Sequence, residues 1–346
     1  MHASKSTVTT LNITNGDCAA DTLRDVVDGH VETAKDVLHE GPCPPLEGDA
    51  WYEVRARFLS GNDTVRYQAI KTGLGQADET IAAACRRGNG IVLWFEHDLF
   101  DQLAIIRVLD LLGRMHLDGR NSGGDWSLVC IGAFPGIDRF IGLGQLTANQ
   151  LATLIGTGVP VIAGHLTLAR DAWGAFRAPD PTALVDLARQ LDAARVASSE
   201  GAPVLPFLAD ALLRFFAEYP SVANGLSRTE QLALQALLAG QSAAGALFAD
   251  TQSEEERPFM GDSTFFDILQ RLATARVPLV SVADGAGDLG FHARLVTITA
   301  AGRDVLAGRA DHVRLNGIDI WRGGVHLTGS DGSPWRWDAR SETLVS

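Results

Sequence analysis

The stretch Ile91-Val-Leu-Trp-Phe-Glu-His-Asp-Leu-Phe-Asp-Gln-Leu103 constrains the fold more than any other part of the chain. Five apolar residues run without interruption into Glu96, His97 and Asp98. A run of that length bounded by charge reads as a strand buried on both faces, because a strand with one wet face would alternate. Helical spacing follows, with Leu99, Leu103 and Ile106 on one side and Asp98, Asp101 and Gln102 on another. A strand with two dry faces needs helices on both sides, which is the layered parallel α/β arrangement. In open sheets of this kind the carboxyl ends of the strands face a shared crevice, so the charged seam stands where ligands bind.

The flanking sequence repeats the unit. After a polar leader at residues 1–6, expected to be disordered, residues 7–14 read as a first strand. Asn15-Gly16-Asp17 signals a turn, and residues 18–27 have helical spacing. A second strand is expected at 34–38, breaking off into His39-Glu40-Gly41-Pro42, after which Pro42, Pro44 and Pro45 force a loop. Helices are expected at 49–59 and 64–87, the latter ended by Gly88. Residues 126–131 form a further strand. Alternating strands and helices imply right-handed crossovers and a parallel, Rossmann-like sheet domain over 7–142.

Residues 143–224 change character and read as helices at 147–155, 161–173, 181–194 and 205–218, broken by Gly, Pro and a linker at 198–201. A third part is expected from 225 to 346. Ser227-Arg228-Thr229-Glu230 has the form of a capping box, residues 263–274 form another helix, and strands at 278–282 and 292–298 flank a glycine-rich turn. Helices followed by a hairpin give a winged-helix-like layout. The tail, with Trp321, Trp335 and Trp337, is expected to add short strands that pack the wing onto the body.

The formal charge of −13 and the pI near 5.1 disfavour attraction to nucleic acid or an anionic membrane. Within 226–311 there are seven arginines, no lysine and eleven acidic residues, and Arg271 is the sole cation of the candidate recognition helix. The winged-helix part therefore reads as a protein-interaction or self-association module rather than a DNA reader. Cys18, Cys43, Cys85 and Cys130 lie far apart without a CxxC pair, consistent with reduced thiols and a cytoplasmic setting. No apolar run has the roughly 18 residues of a membrane span, and the protein reads as soluble.

Asn15-Gly16-Asp17-Cys18-Ala19-Ala20, Val37-Leu38-His39-Glu40-Gly41-Pro42 and above all Trp94-Phe-Glu-His-Asp-Leu-Phe-Asp-Gln-Leu103 resemble the bacterial domain-of-unknown-function 1835 family over residues 8–140. Trp321-Arg-Gly-Gly-Val-His-Leu327 and Trp335-Arg-Trp-Asp338 look like the extension of its longer relatives. That family implies no established activity, so no catalytic role carries over.

The chemistry rests on which residue types are clustered. Glu96, His97, Asp98, Asp101 and Gln102 fall within seven positions, and Asp17, His39 and Glu40 stand at neighbouring strand exits. Each acid alone is accounted for by a helix start: Asp17 as an N-cap, Asp98 and Asp101 as first-turn acids that satisfy N–H groups. Capping needs one carboxylate, however, not three. A carboxylate–imidazole cluster can hold a divalent metal ion, or can act with His97 and a carboxylate as general base and orienting partner. No H-x-H, H-E-x-x-H or D-x-D-x-D spacing fixes the metal, and no G-x-G-x-x-G, P-loop or G-x-S-x-G motif occurs. His39 can equally pin its own turn, and Cys18 lies beside an acid, a setting that does not favour a thiolate nucleophile. Trp94 and Phe95 read as core. Arg55, with Arg57 and Arg66, offers a clamp for an anionic substrate or a solvated surface.

The expectation is a small-molecule enzyme, a hydrolase or group transferase. Glu96, His97, Asp98 and Asp101 would be catalytic, and Asp17, His39, Glu40, Gln102 and Arg55 would contact the substrate. The alternative is a non-catalytic regulatory protein that binds a small-molecule ligand in the same crevice and a protein partner through its C-terminal half.

Overall fold

The computed structural model describes residues 10–61, 63–117, 124–197, 204–283, 290–329 and 334–346. The expected leader, residues 7–9 of the first strand, the linker at 198–201 and the turn at 284–289 lie outside these residues. The chain divides into two compact units. One runs to Ala211 and includes Gly323–Val325; the other comprises Leu212–Arg322 and His326–Ser346.

The first unit is built on a five-stranded, mostly parallel sheet. Its strands are β1 (Leu11–Thr14), β2 (His30–Thr33), β3 (Ile91–Glu96), β4 (Trp126–Ile131) and β5 (Val159–Pro160), in the order β2-β1-β3-β4-β5. The first four are parallel and β5 runs antiparallel to β4. The strand order reverses direction between β1 and β3, which are paired Leu11 to Ile91 through Thr14 to Trp94.

The helices of this unit are α1 (Asp17–Arg24), α2 (Gly48–Ser60), α3 (Thr64–Arg87), α4 (Leu99–Leu117), α5 (Ala148–Ala152), α6 (Ala163–Phe176) and α7 (Thr182–Ala197). One apolar cluster joins Ala19, Ala20 and Leu23 of α1 to Trp94, Val129, Phe140, Leu143 and Leu151. Ile91, Leu93 and Phe95 of β3 are also fully buried, so both faces of the strand are dry, as its unbroken apolar run requires. Helix α4 is buried around most of its circumference and packs between α3 and α6, which explains its lack of a polar stripe.

One sequence expectation needs correction here. The second strand is His30–Thr33, not 34–38. Asp36 is tied to Arg55 and Leu38 is buried, so the apolar signal at 34–38 belongs to a fixed loop rather than a ladder. The helical stretch from 143 to 211 belongs to the first unit.

The division between the units falls within α8 (Leu208–Phe216). The second unit contains α9 (Arg228–Ala236), α10 (Ala244–Ser253) and α11 (Asp262–Thr274), with a three-stranded antiparallel sheet. That sheet comprises β6 (Ser242–Ala243), β7 (Val280–Val282) and β8 (Leu295–Ile298) in the order β6-β8-β7. Ser227 and Glu230 form the expected reciprocal capping box on α9. After β8 come α12 (Ala300–Leu306), α13 (His312–Asn316), and the strand pairs β9 (Ile318–Arg322) with β10 (Val325–Gly329) and β11 (Arg336–Asp338) with β12 (Thr343–Val345). Trp337 on β11 stacks on Phe216 at 5.9 Å and exchanges backbone hydrogen bonds with Pro220 and Val222. The tail thus docks beside α8. Among the described residues no helix is long and apolar enough to cross a membrane.

Candidate functional site

The site lies where the sheet order reverses. In parallel sheets such a point is where the crossovers diverge and where ligands commonly bind. Asn15 follows β1 and Glu96 ends β3, and the Asn15 side-chain amide donates to Glu96 Oε1 at 3.1 Å across this point. The Leu143 N–H donates to the same oxygen from the single 3₁₀ turn Leu143–Gln145. Gly142 makes that approach possible: a Cβ there would lie 2.3 Å from Glu96 Oε2.

The chain leaves β3 through His97 and Asp98 and enters α4. Asp98 Oδ1 accepts from the Asp101 N–H at 2.9 Å, three residues on, so Asp98 caps the helix. Asp101 reaches back, and its Oδ2 accepts from the Glu96 N–H at 2.6 Å. Gln102 completes the lock by donating from Nε2 to the Glu96 carbonyl at 2.6 Å, an oxygen that also receives the Cys130 thiol at 3.3 Å. Strand end and helix start are therefore held together by the residues that carry the charge.

Glu96, Asp98 and Asp101 are all buried, and each offers a carboxylate oxygen within 4.8 Å of the others. Each accepts hydrogen bonds from N–H donors. Asp101 Oδ1 is buried and meets no donor at full hydrogen-bond geometry. Burial and then the charge of Asp98 push the Glu96 carboxyl above its ordinary range, against the Leu143 and Asn15 hydrogen bonds. Burial also raises Asp98, opposed by the Asp101 and Phe100 N–H groups. Burial, then Asp98 and Glu96, hold Asp101 well above its ordinary value, although Asn15 is near enough to favour its charged form. Among the described residues no lysine or arginine is a main influence on any of the three. Negative charge is concentrated here without a dominant counter-charge, which is the electrostatic condition for either a retained proton or a bound cation.

The structure gathers only part of the set expected from sequence. Glu96, Asp98, Asp101 and Gln102 come together as above. His97 stands outside the carboxylate convergence, its ring packed at 5.9 Å from both Phe140 and Phe207. Asp17 is the first residue of α1 rather than its cap, which is Gly16, and it faces solvent in an ion pair with Lys35 at 3.0 Å. His39 is buried with its ring edge-on to Phe100 of α4 at 6.1 Å. Glu40 is half-buried and lends its carbonyl to Arg55.

Arg55 is fully buried, and its five N–H groups are all taken. Nε and Nη2 bind Asp36, and the remaining donors go to the carbonyls of Val37, Glu40 and Pro42. It is a clamp for the 36–42 loop and has no donor left for an anionic substrate. A charged residue on an amphipathic helix reads as surface until the loop that covers it is placed. Sequence reasoning missed Asn15 and Gly142. Asn15 had a signal, since it stands at the end of β1 as Glu96 does at the end of β3; Gly142 had none.

No protein-family model matches the chain, and no curated protein matches it. The resemblance to the domain-of-unknown-function 1835 family thus rests on the quoted residues alone.

Proposed function

We propose that the protein is a small-molecule enzyme, a hydrolase or group transferase, in which Glu96, Asp98 and Asp101 activate the attacking water or hydroxyl and Asn15 and Gln102 position them. One observation carries the reading: three carboxylates converge within 4.8 Å, buried, with no lysine or arginine among the described residues as a main influence on them. A protein that needed only a capped helix would bury one. Uncompensated buried charge costs stability, and such costs are concentrated at sites of chemistry. The strand order 2-1-3-4 supports a Rossmann-like reading of the first unit, in which ligands bind at the point of reversal that Asn15 and Glu96 span. Membership of the resembling family belongs to the same proposal.

The second unit is read as winged-helix-like, supported by α9 to α11 preceding the antiparallel β7 and β8 with β6 beside them. Its acidic balance favours a protein partner or self-association over nucleic acid. That module supports a second reading, a regulatory protein whose crevice binds a ligand without turning it over. Free cysteines, two of them buried singly, support a reducing, cytoplasmic setting.

The test is a turnover screen across carboxylic esters, amides, phosphate esters and nucleotides with wild type, Glu96→Gln and Asp101→Asn. Loss of acid–base help reduces the rate by roughly 10²–10⁴-fold, so both variants should fall by at least that lower factor with their folds intact by circular dichroism. Turnover that survives in both variants refutes the site. Ligand binding without turnover in wild type selects the regulatory reading.

A further inference from the structure

The geometry points to one hard divalent cation, of the Mg²⁺, Mn²⁺ or Ca²⁺ class, held by Glu96, Asp98 and Asp101 at the reversal point between β1 and β3. This deepens the proposed function and rests on the same cluster being a functional site.

The convergence has the dimensions of a cation site. Two oxygens on opposite sides of an ion are separated by twice the metal–oxygen distance, about 4.1 Å for Mg²⁺ and about 4.6–5.2 Å for Ca²⁺. The three carboxylates offer oxygens within 4.8 Å of one another. Carboxylates that share a proton form a direct hydrogen bond between carboxyl groups. The hydrogen bonds that link Glu96, Asp98 and Asp101 here run from backbone N–H groups to carboxylate oxygens. Those bonds orient the carboxylates without neutralising them, which leaves their charge for an ion to balance.

A second feature is independent of the clustering. Asp101 is wholly buried, one of its oxygens is fixed by the Glu96 N–H, and Oδ1 meets no donor at full hydrogen-bond geometry, the nearby Asn15 amide being given to Glu96. An unmet acceptor at that depth is costly, more so when charged, unless something outside the chain completes it. Glu96 is anchored in the same way, with Asn15 and Leu143 both on Oε1. N–H groups holding one oxygen of a carboxylate orient the other, which is how outer-shell partners prepare metal ligands.

The donor chemistry selects the class of ion. All three ligand atoms are carboxylate oxygens, which suit hard cations rather than Zn²⁺ or Cu⁺. The Cys130 thiol is occupied as a donor to the Glu96 carbonyl, and His97 is outside the group. Three protein oxygens leave coordination positions for water, so a bound ion would supply the activated nucleophile that the proposed reaction needs.

The test is isothermal titration calorimetry of EDTA-treated, exchanged protein with MgCl₂, MnCl₂ and CaCl₂ separately. Wild type should bind at least one of them at one ion per chain. Glu96→Gln and Asp101→Asn should each weaken that binding at least tenfold while melting no lower than wild type in EDTA, because a neutral amide relieves repulsion. Asp17→Asn, an exposed acid at the neighbouring strand exit, should leave the dissociation constant unchanged. No saturable binding of any of the three ions up to millimolar concentration overturns the inference, as does binding that survives in both site variants. Failure here is separable from failure of the enzymatic reading. Turnover in EDTA that still requires Asp101 removes the ion and keeps the enzyme, whereas binding without turnover of any substrate does the reverse.

Discussion

Removing the Asp36 carboxylate should be among the most destabilising single changes available in the first unit. The Asp36–Arg55 pair has side chains only 5% and 0% exposed, and its closest contact is 2.7 Å. In Asp36→Ala, Arg55 Nε and one Nη2 donor lose their acceptor, while the Val37, Glu40 and Pro42 carbonyls continue to hold the cation in place. The guanidinium cannot shed its proton, and Trp51 and Phe58, 6.0 and 5.2 Å from it, are poor substitutes for a carboxylate. Breaking a buried pair from one side costs about 3–5 kcal/mol. For a unit of this size that corresponds to a fall in Tm of roughly 6–20 °C, at about 2–4 °C per kcal/mol. Urea unfolding followed by tryptophan fluorescence measures it, and Arg55→Met together with Asp36→Leu closes a double-mutant cycle. The double variant should be at least about 2 kcal/mol more stable than the sum of the single costs allows, because the uncompensated charge is then gone. A cost below 1 kcal/mol for Asp36→Ala, or strict additivity, refutes the clamp and reopens Arg55 as a substrate ligand.

Three further outcomes follow from particular contacts. Gly142→Ala places a methyl group 2.3 Å from Glu96 Oε2; it should cost roughly 1–3 kcal/mol by overpacking and weaken cation binding in calorimetry, and an unchanged Tm with an unchanged dissociation constant would contradict the packing. In the second unit, burial works against ionised Glu218, but Arg214, Arg322 and the Thr229 hydroxyl outweigh it and hold its carboxyl below the ordinary range. A depressed folded pKa stabilises above the unfolded value of about 4.3 and is lost as pH falls through the folded one; Glu218→Gln should therefore flatten the acid limb of the pH–stability curve below about pH 4.3, read by hydrogen exchange of α9 peptides, and an identical acid limb counts against it. Ser227→Ala removes the hydroxyl that accepts from the Glu230 N–H at 3.2 Å and should cost about 1 kcal/mol in urea unfolding, whereas Ser227→Asp, which keeps an acceptor there, should cost much less.

What the sequence revealed, and what it hid, follows from the range of the forces involved. The β3–α4 passage was legible because its signals are local: an apolar run, a charged break, then helical spacing with a cap three residues before its acceptor's donor. The end of α3 was legible for the same reason, since Gly88 adopts the left-handed conformation, φ 67°, that a helix stop demands. By contrast, β2 is a four-residue edge strand with an exposed first residue and little apolar signal, while the better apolar signal beside it belongs to a loop that Arg55 holds. Strand order is set by which hydrophobic faces meet in three dimensions, and no local pattern encodes it. The site inherited that blindness. Glu96, Asp98, Asp101 and Gln102 could be found by proximity along the chain, but Asn15 belongs with them only because β1 lies next to β3.

The overlap of architecture and chemistry at this seam is best understood oxygen by oxygen. Asp98 Oδ1 caps α4, Asp101 Oδ2 receives the last N–H of β3, and Glu96 Oε1 receives Asn15 and Leu143. Each bond is an ordinary structural one, and a reading that stopped there would assign all three acids to helix start and strand end. Such bonds account for part of what each group can accept. They do not account for burying the remaining carboxylate charge within 4.8 Å of two others, when a serine cap and an amide would satisfy the same N–H groups without repulsion. The structural role explains why these side chains are held in place, and the proposed cation would explain why three acids stand there together. A ligand that neutralises the trio would also tighten the junction between β3 and α4, so occupancy of the site and local stability are thermodynamically linked.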